Sequence, residues 1–293
     1  MAYDTISFLS DYGHADEFVG VVRSVIRSIA PDVAVVDLCH DIAPHDVRAG
    51  ALLLARSAQY LVPGVVLAVV DPGVGTARRG VAVEVGGGQS VLVGPDNGLL
   101  APAVSMVGGA DRAVVLSNAE YQEPAPGATF AGRDVFGPVA AHLAAGVGLA
   151  ELGEALDPSL LLPGLLPVPR EEGDTLHVEV LWVDRYGNAQ LNIGPEDIEG
   201  WDAGLRMTWA GSGAAGRPQG RAVQVAAAYD DLADGEVGLV VDSYGLLSVV
   251  VPRTSAATLL ELVAGDAVAL VRGGPADGSE GVTTPVELRP RTA

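Results

Sequence analysis

Asp71 stands directly after an apolar run, residues 65–70, that reads as a buried β-strand. It opens the turn Asp71-Pro72-Gly73-Val74-Gly75-Thr76, and Arg78-Arg79 follow. In open α/β sheets ligands bind at the carboxyl ends of strands, so this position offers the carboxylate to chemistry. Arg78 can reach back across the turn and fix the carboxylate with a charge-assisted hydrogen bond. Asp71 and Arg78 are therefore the candidate catalytic pair, although an Asp-Pro turn with solvated arginines has the same composition. Three further groups sit where strands give way to turns. Ser10-Asp11-Tyr12-Gly13 closes the first strand, and Asp11 can accept two hydrogen bonds from a ribose diol or cap the next helix. Thr129-Phe130-Ala131-Gly132-Arg133-Asp134 reads as a turn entering a helix whose free N–H groups can hold an anion or a polarised water. Asp184-Arg185-Tyr186-Gly187-Asn188, with Asn192 beyond it, pairs a ring that can stack on a base with an amide that can bond its edge. The same residues also make an ordinary β-turn.

The elements that must position these groups follow from hydrophobic periodicity. Strands are predicted at 6–9, 33–38, 65–70 and 114–116, with a hairpin of 81–85 and 90–93 across three glycines. Helices are predicted at 16–29, 46–61, 99–107 and 134–145, the last with Pro138 near its first turn. Alternating strands and helices imply βαβ units and a mainly parallel sheet covered by helices. From residue 175 the signals become short and β-like, at 176–183, 205–209, 222–225, 237–241, 246–251 and 267–271, as in a small all-β barrel or sandwich. The expected organisation is an α/β domain over 1–155, a proline-punctuated linker over 156–174 and a β-barrel-like domain over 175–293. The end of that last domain reads as a polar, disordered tail. No internal repeat is evident.

Composition narrows the partners. The net charge of −20 argues against nucleic acid, whose phosphates would be repelled, and is compatible with a cationic substrate. No apolar run is long enough to span a bilayer, and the N-terminus lacks the basic start of a secretory signal. The single Cys39 fits a reducing, cytoplasmic setting and excludes an intrachain disulfide. Asp37, His40, Asp41, His45 and Asp46 cluster in sequence without a metal-ligand spacing, so no metal is expected. His142 reads as structural. Gly73-Val74-Gly75 lacks the third glycine of a dinucleotide fingerprint, and a nicotinamide cofactor is not expected either.

The ordered series Phe8-Leu9-Ser10-Asp11-Tyr12-Gly13, Val35-Val36-Asp37-Leu38-Cys39-His40, Val70-Asp71-Pro72-Gly73-Val74-Gly75, Gly94-Pro95-Asp96-Asn97-Gly98-Leu99-Leu100, Thr129-Phe130, Gly132-Arg133-Asp134 and Tyr186-Gly187-Asn188 resembles the S-adenosyl-L-methionine (SAM) hydroxide adenosyltransferases. These are relatives of the fluorinase and chlorinase enzymes. The resemblance runs from about residue 6 to 271. It implies an α/β N-terminal and a β-barrel C-terminal domain, and homotrimers with SAM between one subunit's N-terminal domain and a neighbour's C-terminal domain. The implied reaction needs no cofactor: water or hydroxide displaces methionine from C5′, giving adenosine and L-methionine. Carried over by motif, Asp11 would hold the ribose hydroxyls, Asp184 and Ser243 the methionine amino and carboxylate groups, and Tyr186, Asn188 and Tyr229 the adenine. Asp71 would contact the attacking water, with Arg78 fixing it. Halide-using relatives carry Tyr at the position of Asp71, where a carboxylate would repel a halide. Ala131 fills the position of a histidine typical of the hydrolases. Either Asp71 and Arg78 suffice, or His45 or His14 substitutes, or activity is weak or altered. A chloride-using transferase and a SAM- or adenosine-binding protein with little turnover remain the alternatives. Tyr244 also departs from the pattern, standing where the fluorinase has an Arg near the methionine carboxylate, and Val251-Pro252-Arg253 departs from the family's usual Asn-containing segment.

Overall fold

A computed structural model of the chain describes residues 2–201, 204–210 and 218–273. It divides into two compact units, Met1–Leu166 and Pro167–Ala293. The expected tail beyond residue 273 lies outside the described residues.

The first unit runs β1 (Thr5–Ser10), α1 (Phe18–Ile29), β2 (Ala34–Cys39), α2 (Val47–Ala58), β3 (Val65–Val69), the hairpin β4 (Gly80–Val85) and β5 (Ser90–Pro95), α3 (Ala101–Met106), β6 (Ala110–Val115), α4 (Gly137–Ala144) and the short β7 (Ala155–Leu156). These strands form one sheet in the order β2-β1-β3-β5-β4-β6-β7. The β2–β1, β1–β3 and β3–β5 pairings are parallel, and the remaining three are antiparallel, so the sheet is mixed. The antiparallel half begins where the 86–89 turn folds β4 back on β5, which no parallel pair could do with so short a connection.

Burial on both faces explains why β3 has no polar residue. Val65, Leu67 and Val69 face a core built with Val22 and Ile26 of α1 and Val139 and Ala140 of α4. Val66 and Ala68, with Val70 just past the strand, face the opposite core with Leu54 of α2 and Ala103 of α3. Strand side chains alternate with period two, so an unbroken apolar run is what a strand covered on both faces requires. The chain moves from β1 outward to β2, then returns to place β3 on the other side of β1. That reversal is a topological switch point, and the ends of β1 and β3 flank the crevice it leaves.

The predicted helix from residue 134 differs in its start. Residues Gly132–Phe136 form a single π-helical turn, and regular α-helix begins at Gly137 with Pro138 in its first turn, where no N–H is needed. Phe136 is fully buried there, against the β1–β3 core.

The second unit contains β8 (Arg170–Glu172), β9 (Thr175–Val183), β10 (Ala189–Leu191), β11 (Leu205–Ala210), β12 (Pro218–Ala226), β13 (Gly238–Val241), β14 (Leu247–Val250), α5 (Ala256–Leu260) and β15 (Ala267–Arg272). Seven strands follow one another as β10-β14-β13-β12-β11-β15-β9, and the β9–β10 pairing closes them into a barrel, with β8 attached outside on β9. Leu176, Val178 and Val180 alternate into its core beside Met207, Leu239, Val249 and Leu270. Closure leaves the seven barrel strands no free edge. The three-residue strands β8 and β10 and the short helix α5 carry too little periodicity to be read from sequence. Among the described residues, no helix is long and apolar enough to cross a membrane.

Replacing Phe136 with Ala should cost about 3–5 kcal/mol, by opening a cavity beneath Arg78 and in the β1–β3 core. Urea unfolding checks it; a midpoint within error of wild type would show that this ring does not tie the π-turn to the sheet.

Candidate active site

Asp71 follows the end of β3, and Asp11 follows the end of β1 beside it; the Asp11 N–H donates to the Val69 carbonyl at 3.3 Å. Both carboxylates line a cavity of about 220 Å³ with Tyr12, Phe18, Pro44, His45, Val74, Thr129 and Ala131. Asp71 Oδ2 is paired with the guanidinium of Arg78, and the two side chains are only 6% and 14% exposed. Arg78 lies over the ring of Phe136, its guanidinium carbon 5.2 Å from the ring centroid. Asp71 Oδ1 is buried and has no hydrogen-bond partner. Burial raises the Asp71 carboxyl above the usual range; pairing with Arg78 and a hydrogen bond from the Gly73 N–H work against that rise, and Asp11 adds to it. The arrangement is a buried carboxylate fixed to Arg78 by one oxygen, with its other oxygen left without a hydrogen-bond partner.

The frame around this pair is built from the flanking motifs. Asn97 Nδ2 donates to the Val70 carbonyl at 2.9 Å, and Asp96, itself buried, accepts from Arg79 and from the Leu162 N–H at 2.8 Å. The Gly94–Leu100 motif thus braces the end of β3 and does not enter the cavity. Asp11 Oδ2 accepts from the His45 N–H at 2.9 Å, and His45 takes a left-handed φ of 69° to make that contact. His45 lines the cavity, whereas the His14 ring packs against His40, with centroids 5.4 Å apart. The N–H groups expected to be free in the 129–134 turn are engaged in part. Those of Arg133 and Asp134 donate to the Phe130 carbonyl at 3.0 Å each.

Beneath Asp11 lies a buried relay that the spacing of residues did not reveal. Ser10 Oγ and His40 Nδ1 are 2.7 Å apart, and both side chains are almost wholly buried. His40 Nε2 faces Asp37 Oδ1 at 3.3 Å without hydrogen-bond alignment, and Asp37 is held in turn by Arg23 at 3.0 Å. The His40 carbonyl accepts from the Gly13 N–H at 2.7 Å, so this cluster anchors both ends of the Asp11 loop. The sequence cluster is therefore dispersed: Asp37 and His40 anchor the loop, His45 lines the cavity, and Asp46 caps α2 by accepting from the Ala49 N–H at 2.8 Å. Among the described residues, no three His, Cys, Asp or Glu side chains are grouped so as to hold a metal ion.

In the second unit, Asp184, Tyr186 and Asn188 belong to the β9–β10 turn, Ser243 to the β13–β14 turn, and Tyr229 follows β12. Asp184 opens the β9–β10 turn: its Oδ1 accepts from the Tyr186 and Asn188 N–H groups at 2.8 Å each, and its Oδ2 from Asn188 Nδ2 at 2.7 Å. The β13–β14 turn repeats this construction. Asp242 Oδ1 accepts from the Tyr244 N–H at 2.8 Å and the Leu246 N–H at 3.2 Å. Gly187 and Gly245 occupy the matching positions with φ of 86° and 82°, a conformation costly for a residue with a Cβ. Asp184-Arg185-Tyr186-Gly187 and Asp242-Ser243-Tyr244-Gly245 are thus a local repeat that a search for longer periods overlooks. Asp242 and Gln190, absent from the sequence-derived site, join the two turns through a 2.5 Å bond from Gln190 Nε2 to Asp242 Oδ2. Tyr186 is 81% exposed and Tyr229 48%. Burial raises the Tyr229 hydroxyl above the usual phenol range, and the charges of Asp184 and Asp242 raise it further, which places that hydroxyl near both acids. Ser243 is exposed in the second turn.

Family models for the SAM hydroxide adenosyltransferase N-terminal and C-terminal domains match residues 6–153 and 178–269. The chain belongs to the SAM hydroxide adenosyltransferase family. It is 44% identical over 268 residues to the (R)-S-adenosyl-L-methionine hydrolase of Salinispora arenicola, a match covering 92% of this chain and 98% of that one. It is 30% identical over 230 residues to a fluorinase of an Actinoplanes species, covering 69% and 77% of the two chains. A crystal structure of an uncharacterised conserved protein from Thermotoga maritima superposes with a TM-score of 0.80 at 31% identity, covering 91% of this chain and all of that one. The two matched family domains fall one in each compact unit, so family membership and fold agree.

Burial lowers the His40 pKa, against the opposing influence of Asp37 and with small help from His14 and Arg23. A histidine whose folded pKa is depressed stabilises the fold fully above its unfolded value of about 6.5, and that contribution is lost as pH falls below it. His40→Gln should therefore flatten the loss of stability between about pH 7 and 5 relative to wild type. Parallel denaturation curves at several pH values would detect it, and identical slopes would overturn it.

Proposed function

We propose that this protein hydrolyses SAM to adenosine and L-methionine by attack of water on C5′ of the ribose. The observation that carries the reading is the Asp71 carboxylate, with one oxygen on Arg78 and the other unpartnered beside the cavity that Asp11 also lines. The sulfonium leaves as a neutral thioether, so no general acid is required. What remains is to hold a water in line with the C5′–S bond and take its proton as the O–C bond forms. Asp71 is assigned that role, Arg78 keeps its carboxylate oriented, and Asp11 is assigned the ribose hydroxyls. Family membership and the 44% identical relative that is named a SAM hydrolase support the same reaction.

Groups of the second unit complete the proposed substrate site. Asp184 and Ser243 are assigned to the methionine amino and carboxylate groups, and Tyr186, Asn188 and Tyr229 to adenine. In this reading the second unit of one copy of the chain serves the cavity of another, in a cytoplasmic homotrimer. A SAM-binding protein with little turnover is the second reading. It is favoured by one observation, that Ala131, which cannot relay a proton, lines the cavity beside Asp71.

Incubation with SAM should yield adenosine and methionine in equal amounts, followed by chromatography. Unchanged SAM under saturating binding would establish the second reading, and 5′-chloro-5′-deoxyadenosine in chloride buffer would assign a halide-using transferase. Asp71→Asn should lower kcat by about 10²–10⁴-fold. A pH profile provides a separate check. Activity should fall as pH drops through the raised pKa of Asp71, since the base must be ionised. Arg78→Met removes the main influence that lowers this pKa and should move the acid limb to higher pH. An acid limb that stays in place would show that Asp71 does not govern the profile.

A further inference from the structure

The Tyr12 ring is wedged among Phe18 and Phe130, with centroids 5.7 and 5.5 Å away, and these contacts fix where its hydroxyl lies. That hydroxyl occupies the space a side chain at position 132 would need: a Cβ on Gly132 would fall 2.2 Å from Tyr12 Oη. Glycine at this position lets the phenol oxygen sit against the backbone. Gly132 is the residue after Ala131, whose methyl lines the same cavity as Tyr12 and Asp71.

Burial, with the neighbouring charges of Asp11, Asp71 and Asp134, keeps the phenol protonated well beyond any working pH. Tyr12 therefore presents an O–H and never a phenolate. No described residue accepts the O–H. Asp71 Oδ1, on the same cavity, is an acceptor without a donor. Tyr12 and Asp71 line one cavity, and a hydroxyl donor beside a carboxylate acceptor is the pair of groups that a bound water can bridge.

We propose that Tyr12 is a catalytic residue of the hydrolysis, donating its O–H to the attacking water and filling the place of the histidine that Ala131 lacks. The water then gives one O–H to Asp71 Oδ1, accepts from Tyr12 on one lone pair and directs the other at C5′. As the O–C5′ bond forms, the C5′–S electron pair goes to sulfur, the water's proton goes to Asp71 and later to solvent, and Tyr12 keeps its proton throughout. The assignment rests on the hydrolase reading of the site.

The test is Tyr12→Phe, which keeps the ring and removes only the hydroxyl. Removing one preorganised donor should lower kcat by about 10–100-fold. The KM for SAM and the thermal midpoint should stay near wild type, because neither the aromatic packing nor the assigned substrate contacts change. Adding Ala131→His to that variant should restore part of the lost kcat, a rescue that a purely structural role for the hydroxyl would not give. Full turnover by Tyr12→Phe in a protein whose wild type makes adenosine overturns the assignment alone. Loss of turnover in His45→Ala with Tyr12→Phe unaffected also overturns it and transfers the role to His45. A wild type that makes no adenosine while binding SAM rejects the hydrolase reading itself, and this assignment with it.

Discussion

The pairing of Asp71 with Arg78 is the contact on which the first unit's site depends. A carboxylate taken out of water with no partner would keep its proton, and a protonated Asp71 could accept none from a water. Arg78 offsets that penalty at one oxygen only, and the second oxygen has no hydrogen-bond partner. The arginine is itself supported by the face of Phe136, fully buried at the end of the π-turn. A chain of contacts thus runs from the hydrophobic core, through an aromatic ring and a guanidinium, to one carboxylate oxygen.

Sheet topology decides where that oxygen lies. Because β3 returns to the opposite side of β1 from β2, the strand ends carrying Asp11 and Asp71 are adjacent and uncovered by a crossover. Loop side chains are then held by backbone partners: Asp11 by His45, the end of β3 by Asn97, and the Asp11 loop by the Ser10–His40–Asp37 cluster. Each bond removes freedom from a segment that would otherwise be an ordinary exposed turn. Precision at the site therefore comes in large part from polar groups outside the cavity lining, Asn97, Ser10, His40 and Asp37.

Much of this was legible in the residues. The apolar run before Asp71 named a doubly covered strand, and the Asp-to-Arg spacing across a turn named their pair. The barrel was readable as short alternating strands, and its closure was not, because β10 is three residues long and its partner choices are set by register. The Ser10–His40 contact was hidden since it joins strand ends thirty residues apart, and only the β1–β2 pairing brings them together. Tyr12 was legible as a member of a motif but not as a donor. Its role depends on Gly132 being small, and no periodicity relates the two positions. The twin turns at Asp184 and Asp242 were open to reading, since both spell Asp-x-Tyr-Gly.

The charges at the two ends of the proposed reaction fit together only if the proton moves with the sulfonium. An acidic cavity attracts a cation, yet attraction to the bound cation alone would hold the ground state and slow its loss. Transfer of the water's proton to Asp71 removes a negative charge from the protein as the sulfonium loses its positive one. The pair of carboxylates and the single arginine can therefore bind the cation without favouring it over the transition state. This matching requires that Asp71 be ionised before attack and readily protonated during it, which is what a carboxyl raised by burial and restrained by Arg78 provides. A carboxylate lowered far below the usual range would bind the cation as well and take the proton poorly. A neutral tyrosine beside it orients the water without adding a charge to this balance.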